Sequence, residues 1–176
     1  SKIESGTVTM ELEHVPFSNI RNQIDRTFRH VADSRQLNFD ITLSPELSDT
    51  MYTDEKRLQQ VMKNLLSNSF KFTEKGGVTV RIEPVDSGWS ADHPILDRTE
   101  SVVGFYITDT GIGVPVDKQR SIFEAFQQAD AGTSRKFGGT GLGLSISREI
   151  ARLLDGELRM IESKLGKGST FALFLP

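Results

Sequence analysis

Asn64, Asn68 and Lys71 stand at i, i+4 and i+7 in "DEKRLQQVMKNLLSNSFKFT" (54–73), a spacing that puts all three on one helical face. Asparagine is a mediocre helix former, so two of them one turn apart, followed by a lysine, are a poor choice for a face that only meets water. Amide oxygens can coordinate Mg²⁺ and a lysine ammonium can neutralise phosphate; a solvated polar face is the plainer reading. In "GGTGLGLSISREIARLLDG" (138–156), Gly138, Gly139, Gly141 and Gly143 precede a helix. Each glycine loses more chain entropy on ordering than another residue. The physical returns are close approach of backbone N–H groups to a ligand and the attraction of a helix N-terminus for anions. The stretch therefore reads as a phosphate cradle, or as a mobile loop ahead of an ordinary amphipathic helix. In "ITDTGIGV" (107–114), Asp109 ends a strand and Gly111 and Gly113 follow. Such a carboxylate can accept a hydrogen bond from an amino group such as that of adenine; a tight turn after an edge strand is the alternative. Asp-Thr-Gly is also the core of aspartic protease sites, which need two aspartates sharing a proton. The chain has a single Asp-Thr-Gly, so that reading would require a homodimer.

These residues need elements to position them. Phe17, Ile20, Ile24, Phe28 and Val31 mark one face of a helix from Pro16 to Ser34, and Leu58, Val61, Met62, Leu65 and Leu66 do the same for a second, about Asp54 to Phe72. Alternation predicts strands at 38–43, 76–84 and 102–109, with a turn over 45–49 and a long polar hairpin loop over 85–101. "PVDKQRSIFEAF" (115–126) predicts a short helix. The helix behind the glycines, about 144–154, has Ile146, Ile150, Leu153 and Leu154 on its apolar face, with Ser147, Arg148, Glu149 and Arg152 mostly elsewhere. Asp155-Gly156 ends it, with the glycine expected in a left-handed cap. "GELRMIE" (156–162) and "STFALFLP" (169–176) predict a final hairpin. The sum is an α+β fold, a mixed and mostly antiparallel sheet with helices on one face.

The 176 residues fall within the range of one domain. Hydrophobic content of 36% and charged content of 26% suit a soluble globular fold. A net charge of -3 with pI near 5.7 gives no case for nucleic acid. The absence of cysteine excludes disulfides and thiolate zinc sites and fits a reducing compartment. No apolar run approaches a membrane span, no signal peptide is visible, and the abrupt start at Ser1 fits a piece of a longer chain.

Together the motifs resemble the ATP-binding domain of sensor histidine kinases, within the gyrase, Hsp90, histidine kinase and MutL superfamily, over nearly the whole chain. Residues 54–73 resemble the N box, "DTGIGV" (109–114) the G1 box, "IFEAFQQAD" (122–130) the F box, "GGTGLGLSI" (138–146) the G2 box and "GKGSTF" (166–171) the G3 box. The glycine stretch fits neither a Walker A loop nor the dinucleotide fingerprint. The resemblance implies a two-layer α/β sandwich, the Bergerat fold, over 16–176, with 1–15 as the end of a dimerisation helix and a linker. It implies ATP and Mg²⁺ as cofactors, with Asn64 and Asn68 holding the metal and phosphates and Lys71 nearby. Phe72 would pack along the adenosine. Asp109 would bind the adenine amino group, with Gly111, Ile112 and Gly113 beside it and Ser169 helping through water. A lid of about 127–140, its mobile part from about Asp130 to Phe137 bracketed by Phe126 and Gly138, would carry Arg135 and Lys136 to the terminal phosphates. Backbone from Gly139 through Thr140, Gly141, Leu142 and Gly143 to Leu144 would close on the phosphate chain.

In gyrase-like relatives a glutamate that activates water sits four residues before the metal-binding asparagine; here Asn64 holds that position. An amide is no general base at neutral pH, so the site is expected to hold ATP for transfer and hydrolyse it slowly. The resemblance implies an acceptor histidine on an upstream dimerisation domain, of which "SKIESG" (1–6) looks like the tail, and a response regulator receiver domain as a further partner. His14, His30 and His93 lack the acceptor context and are expected at the surface. The fragment is expected to be monomeric, its parent dimeric, and the location cytoplasmic, with or without an inner-membrane anchor in the parent. A non-catalytic nucleotide-binding scaffold and a serine-directed kinase of the anti-sigma type are the alternatives.

Overall fold

Residues Phe17, Ile20, Ile24, Phe28 and Ala32 recur at helical spacing and are all buried along α1 (Phe17–Ser34), while Phe39 and Ile41 alternate inward from β2 (Asn38–Leu43). The computed structural model describes residues 10–91, 93–110, 142–164 and 168–176. The remaining described elements are β1 (Glu13–Pro16), β3 (Thr50–Thr53), α2 (Glu55–Phe72), β4 (Gly77–Val85), a 3₁₀ turn at Leu96–Arg98, β5 (Val102–Asp109), α3 (Leu142–Leu153), β6 (Glu157–Lys164) and β7 (Gly168–Leu175). A five-stranded sheet runs β2-β4-β5-β7-β6. Its β2–β4 pair is parallel and the other three are antiparallel, matching the expected mixed, mostly antiparallel sheet. Parallel pairing demands a crossover, and α2 lies on it, so its C-terminal end is delivered to the start of β4.

The two faces of the sheet are covered differently. Val80, Ile82, Phe105, Ile107, Phe171 and Leu173 point into the main core with the helices. Val102, Ala172 and Phe174 point the other way, where residues 85–101 cover them. The predicted hairpin loop is thus a built cover. Leu96 is fully buried, Trp89 packs edge-on against Phe174 at 5.9 Å, and Ser90 and Gly88 bond Glu157 and Arg159 of β6.

The described turns of α3 run Leu142–Leu153, in line with the helix expected at about 144–154. Two expectations for it are corrected. Its buried stripe is Ser147, Ile150, Ala151 and Leu154, whereas Ile146, expected in the core, is 42% exposed. The left-handed residue at its end is Asp155 (φ 65), not Gly156. The N–H groups of Asp155 and Gly156 reach the carbonyls of Arg152 and Ala151, a Schellman closure. Gly156 serves packing instead: a Cβ there would lie 2.0 Å from the Phe174 carbonyl oxygen. α1 ends the same way, with Gln36 left-handed. Strands β1 and β3, paired as an antiparallel ribbon, were not foreseen. The expected helix at 115–126 lies outside the described residues.

Candidate functional site

Helix α2 starts firmly. Asp54 is its N-cap, accepting from the Arg57 N–H at 3.2 Å. The same carboxylate meets the Arg57 guanidinium at 2.6 Å, both side chains nearly inaccessible, and accepts the Glu11 N–H at 3.0 Å. Burial pushes the Asp54 carboxyl up, but the Glu11 and Arg57 N–H groups and the adjacent guanidinium outweigh it and hold the group below its ordinary value. The chain entering from residue 11 is thereby tied to the first turn of α2. At the other end, Arg35 donates to the carbonyls of Phe70 and Thr73, satisfying groups that a helix C-terminus leaves open.

Between those anchors, α2 presents the expected face. Asn64 and Asn68 are half-buried, Lys71 is exposed and Phe72 is half-buried. Asn64 Nδ2 donates to Ser147 Oγ at 3.2 Å, so this face abuts the early turns of α3. Leu142, Gly143 and Leu144 open the described part of that helix, on the side of its N-terminal end, where a helix collects unpaired N–H groups and its positive dipole end.

Asp109 closes β5 opposite Ser169 of β7, and both are buried. One rung below, the hydroxyls of Thr108 and Thr170 meet at 3.1 Å. Thr110 pins the strand end: its Oγ1 donates to the Lys75 carbonyl at 2.6 Å and accepts the Gly77 N–H at 3.1 Å. The turn that leaves α2 is therefore bonded to the residue after Asp109. The end of α2, the end of β5 and the start of β7 lie at one end of the strands, and α3 meets α2 through Ser147. Gly111, Ile112, Gly113, Phe126, Arg135, Lys136, Gly139, Thr140 and Gly141 lie outside the described residues.

The donor chemistry suits a hard cation bound mostly through phosphate and water. Among the described residues no three His, Cys, Asp or Glu side chains gather into a metal cage. Mg²⁺ takes oxygen ligands and usually keeps waters and substrate phosphates beside one or two protein groups, so two amide oxygens could hold it only with a substrate supplying the rest of its shell. Arg35 and Thr110 drew no role from the sequence, and Ser147, expected off the apolar face of its helix, is fully buried. Each acts through a tertiary hydrogen bond, which leaves no periodic trace. Of the histidines, His14 and His30 are exposed as expected, and His93 caps the 3₁₀ turn by accepting the Ile95 and Leu96 N–H groups.

The family described as histidine kinase-, DNA gyrase B-, and HSP90-like ATPase matches residues 53–176. The autoinducer 2 sensor kinase/phosphatase LuxQ of Vibrio vulnificus is 36% identical over 176 residues, 100% of this chain and 20% of that protein. The signal transduction histidine-protein kinase BarA of Escherichia coli is 33% identical over 171 residues, 97% of this chain and 18% of that protein. The chain thus spans about a fifth of the length of these curated relatives. Among solved structures, full-length ShkA in complex with AMPPNP aligns with a TM-score of 0.76 at 28% identity, covering 96% of this chain and 32% of that one. The catalytic domain of histidine kinase ThkA aligns with a TM-score of 0.69 at 20% identity, covering 95% of this chain and 96% of that one, a likeness of fold. No helix among the described residues is long and apolar enough to cross a membrane. With its N box on α2, its aspartate at the end of β5 and this match across 53–176, the chain belongs to the histidine kinase-, DNA gyrase B-, and HSP90-like ATPase family.

Proposed function

We propose that this chain is the catalytic, ATP-binding domain of a two-component sensor histidine kinase. It binds Mg·ATP and passes the γ-phosphoryl group to a histidine on a separate upstream dimerisation domain, from which a receiver domain takes it. The observation that carries the reading is the meeting of the Asn64–Asn68–Lys71 face of α2 with the N-terminal part of α3 through the Asn64–Ser147 bond. A metal-binding amide pair and an anion-binding helix end are what a nucleotide triphosphate needs side by side.

In this reading Mg²⁺, when bound, neutralises charge on the phosphate chain. Asn64 and Asn68 hold it, and Lys71 adds positive charge. The first N–H groups of α3 receive phosphate oxygens. Buried Asp109 accepts from the adenine amino group, with Ser169 beside it, and Phe72 packs along the adenosine. Gly111, Ile112, Gly113, Phe126, Arg135, Lys136, Gly139, Thr140 and Gly141 complete the adenine pocket, lid and cradle. The acceptor imidazole nitrogen bonds to the γ-phosphorus as the bond to the β–γ bridging oxygen breaks, and ADP leaves. Positioning and charge neutralisation supply the catalysis. Asn64 cannot deprotonate water, so hydrolysis is slow and the phosphoryl group is kept for the histidine. Residues 1–15 lead in from the dimerisation domain, and the domain works on the cytoplasmic side.

The test is transfer. The chain, Mg²⁺ and γ-labelled ATP are mixed with a purified dimerisation domain from the parent protein. Acid-labile, alkali-stable label on that domain, absent with Asn68→Ala, is expected. Nucleotide binding without any transfer would replace the kinase by a nucleotide-binding scaffold.

A further inference from the structure

Ser147 is fully buried on a helix face where a core aliphatic would otherwise stand, and its Oγ lies 3.2 Å from Asn64 Nδ2. Its neighbours along that stripe, Ile150, Ala151 and Leu154, are apolar and buried. A buried hydroxyl costs free energy unless hydrogen-bonded, so the serine calls for a reason that packing does not supply. The asparagine amide is planar and two-ended: one branch donates and the other accepts. A bond that holds Nδ2 against α3 leaves Oδ1 on the other branch, away from Ser147. A serine inside a helix can give its own proton to the carbonyl one turn back, which leaves its oxygen to accept from Asn64; without that acceptor either amide end can face outward, and an outward NH₂ repels a cation.

We propose that Ser147 is a positioning residue that fixes the flip state of Asn64, so that the amide oxygen and not the amide nitrogen serves the metal. This rests on the Mg·ATP reading above. Ser147 touches neither metal nor nucleotide; it acts through Asn64.

The experiment is a titration with a non-hydrolysable ATP analogue, with Mg²⁺ and with EDTA, on wild type, Ser147→Ala, Asn64→Ala and the double variant. The readout is the ratio of affinities with and without metal. Outer partners of metal ligands typically account for about 10–100-fold in metal affinity, so Ser147→Ala should lower the ratio about tenfold and leave the EDTA affinity unchanged. In the Asn64→Ala background the same change should do nothing more. A metal-free readout accompanies it: proton exchange of the Asn64 side-chain amide, followed by NMR, should quicken in Ser147→Ala while the urea midpoint stays close to wild type. The inference is overturned if the ratio stays within about twofold, if affinity falls equally with and without Mg²⁺, or if the fall persists without Asn64. Wild type showing no Mg²⁺-dependent binding overturns the nucleotide reading itself, and this inference with it.

Discussion

Gly168 opens β7 with φ 104, a backbone conformation that side chains rarely adopt. A Cβ there would lie 2.0 Å from the Asp109 carbonyl oxygen and 2.9 Å from the Thr110 Cα. Both are backbone atoms, so no rotamer change relieves the clash. Gly168→Ala therefore carries two costs. The backbone conformation accounts for about 1–3 kcal/mol. Restoring ordinary contact requires the strands to part by about 1 Å beside the Asp109–Ser169 rung, and the weakened ladder bond adds about 1 kcal/mol. The sum is about 3 kcal/mol, or about 6–12 °C in melting temperature for a domain of this size. Urea unfolding and thermal melts measure it. Because the forced movement centres on Asp109, analogue affinity should also fall in a sample kept well below its melting point. An alanine variant within about 0.5 kcal/mol of wild type, binding nucleotide normally, would refute the reasoning.

Asp54→Asn keeps an N-cap but leaves the buried Arg57 guanidinium without its carboxylate, and should lower stability by about 3 kcal/mol in urea unfolding. The folded Asp54 carboxyl lies below the ordinary 3.8, so its contribution is fully present above that value. It is lost as pH falls through the lower folded value, and an acid titration of wild type against Asp54→Asn should show that difference shrinking. Trp89 is the sole tryptophan and packs on Phe174. Its fluorescence should change with the same urea midpoint as far-UV circular dichroism, and Trp89→Ala should lower stability by about 1–2 kcal/mol. Separate transitions would mean that residues 85–101 are not part of the cooperative unit.

The long helices were legible because burial on one side writes a periodic signal: Leu58, Val61, Met62, Leu65 and Leu66 name the inner face of α2 and thereby the outer one. β1 and β3 are four residues each and pair across nearly forty positions, so neither "EHVP" nor "TMYT" carries enough alternation to announce a strand. α3 misled because its packing partner is partly polar. Asn64 of α2 faces it, so a serine is buried where periodicity favoured Ile146. Gly156 misled for a related reason: glycine answers close approach as well as positive φ, and only the neighbouring strand tells which. Trp89 and Leu96, large apolar residues in a polar stretch, were the available sign that 85–101 covers the sheet.

The measurement that bears most directly on the account is calorimetric titration of this chain with a non-hydrolysable ATP analogue, with and without Mg²⁺, alongside Asn68→Ala. The account predicts saturable binding at one site, strengthened by Mg²⁺, with that strengthening lost in the variant. A folded sample that takes up no nucleotide, or binds it equally well with Asn68 removed, would contradict it.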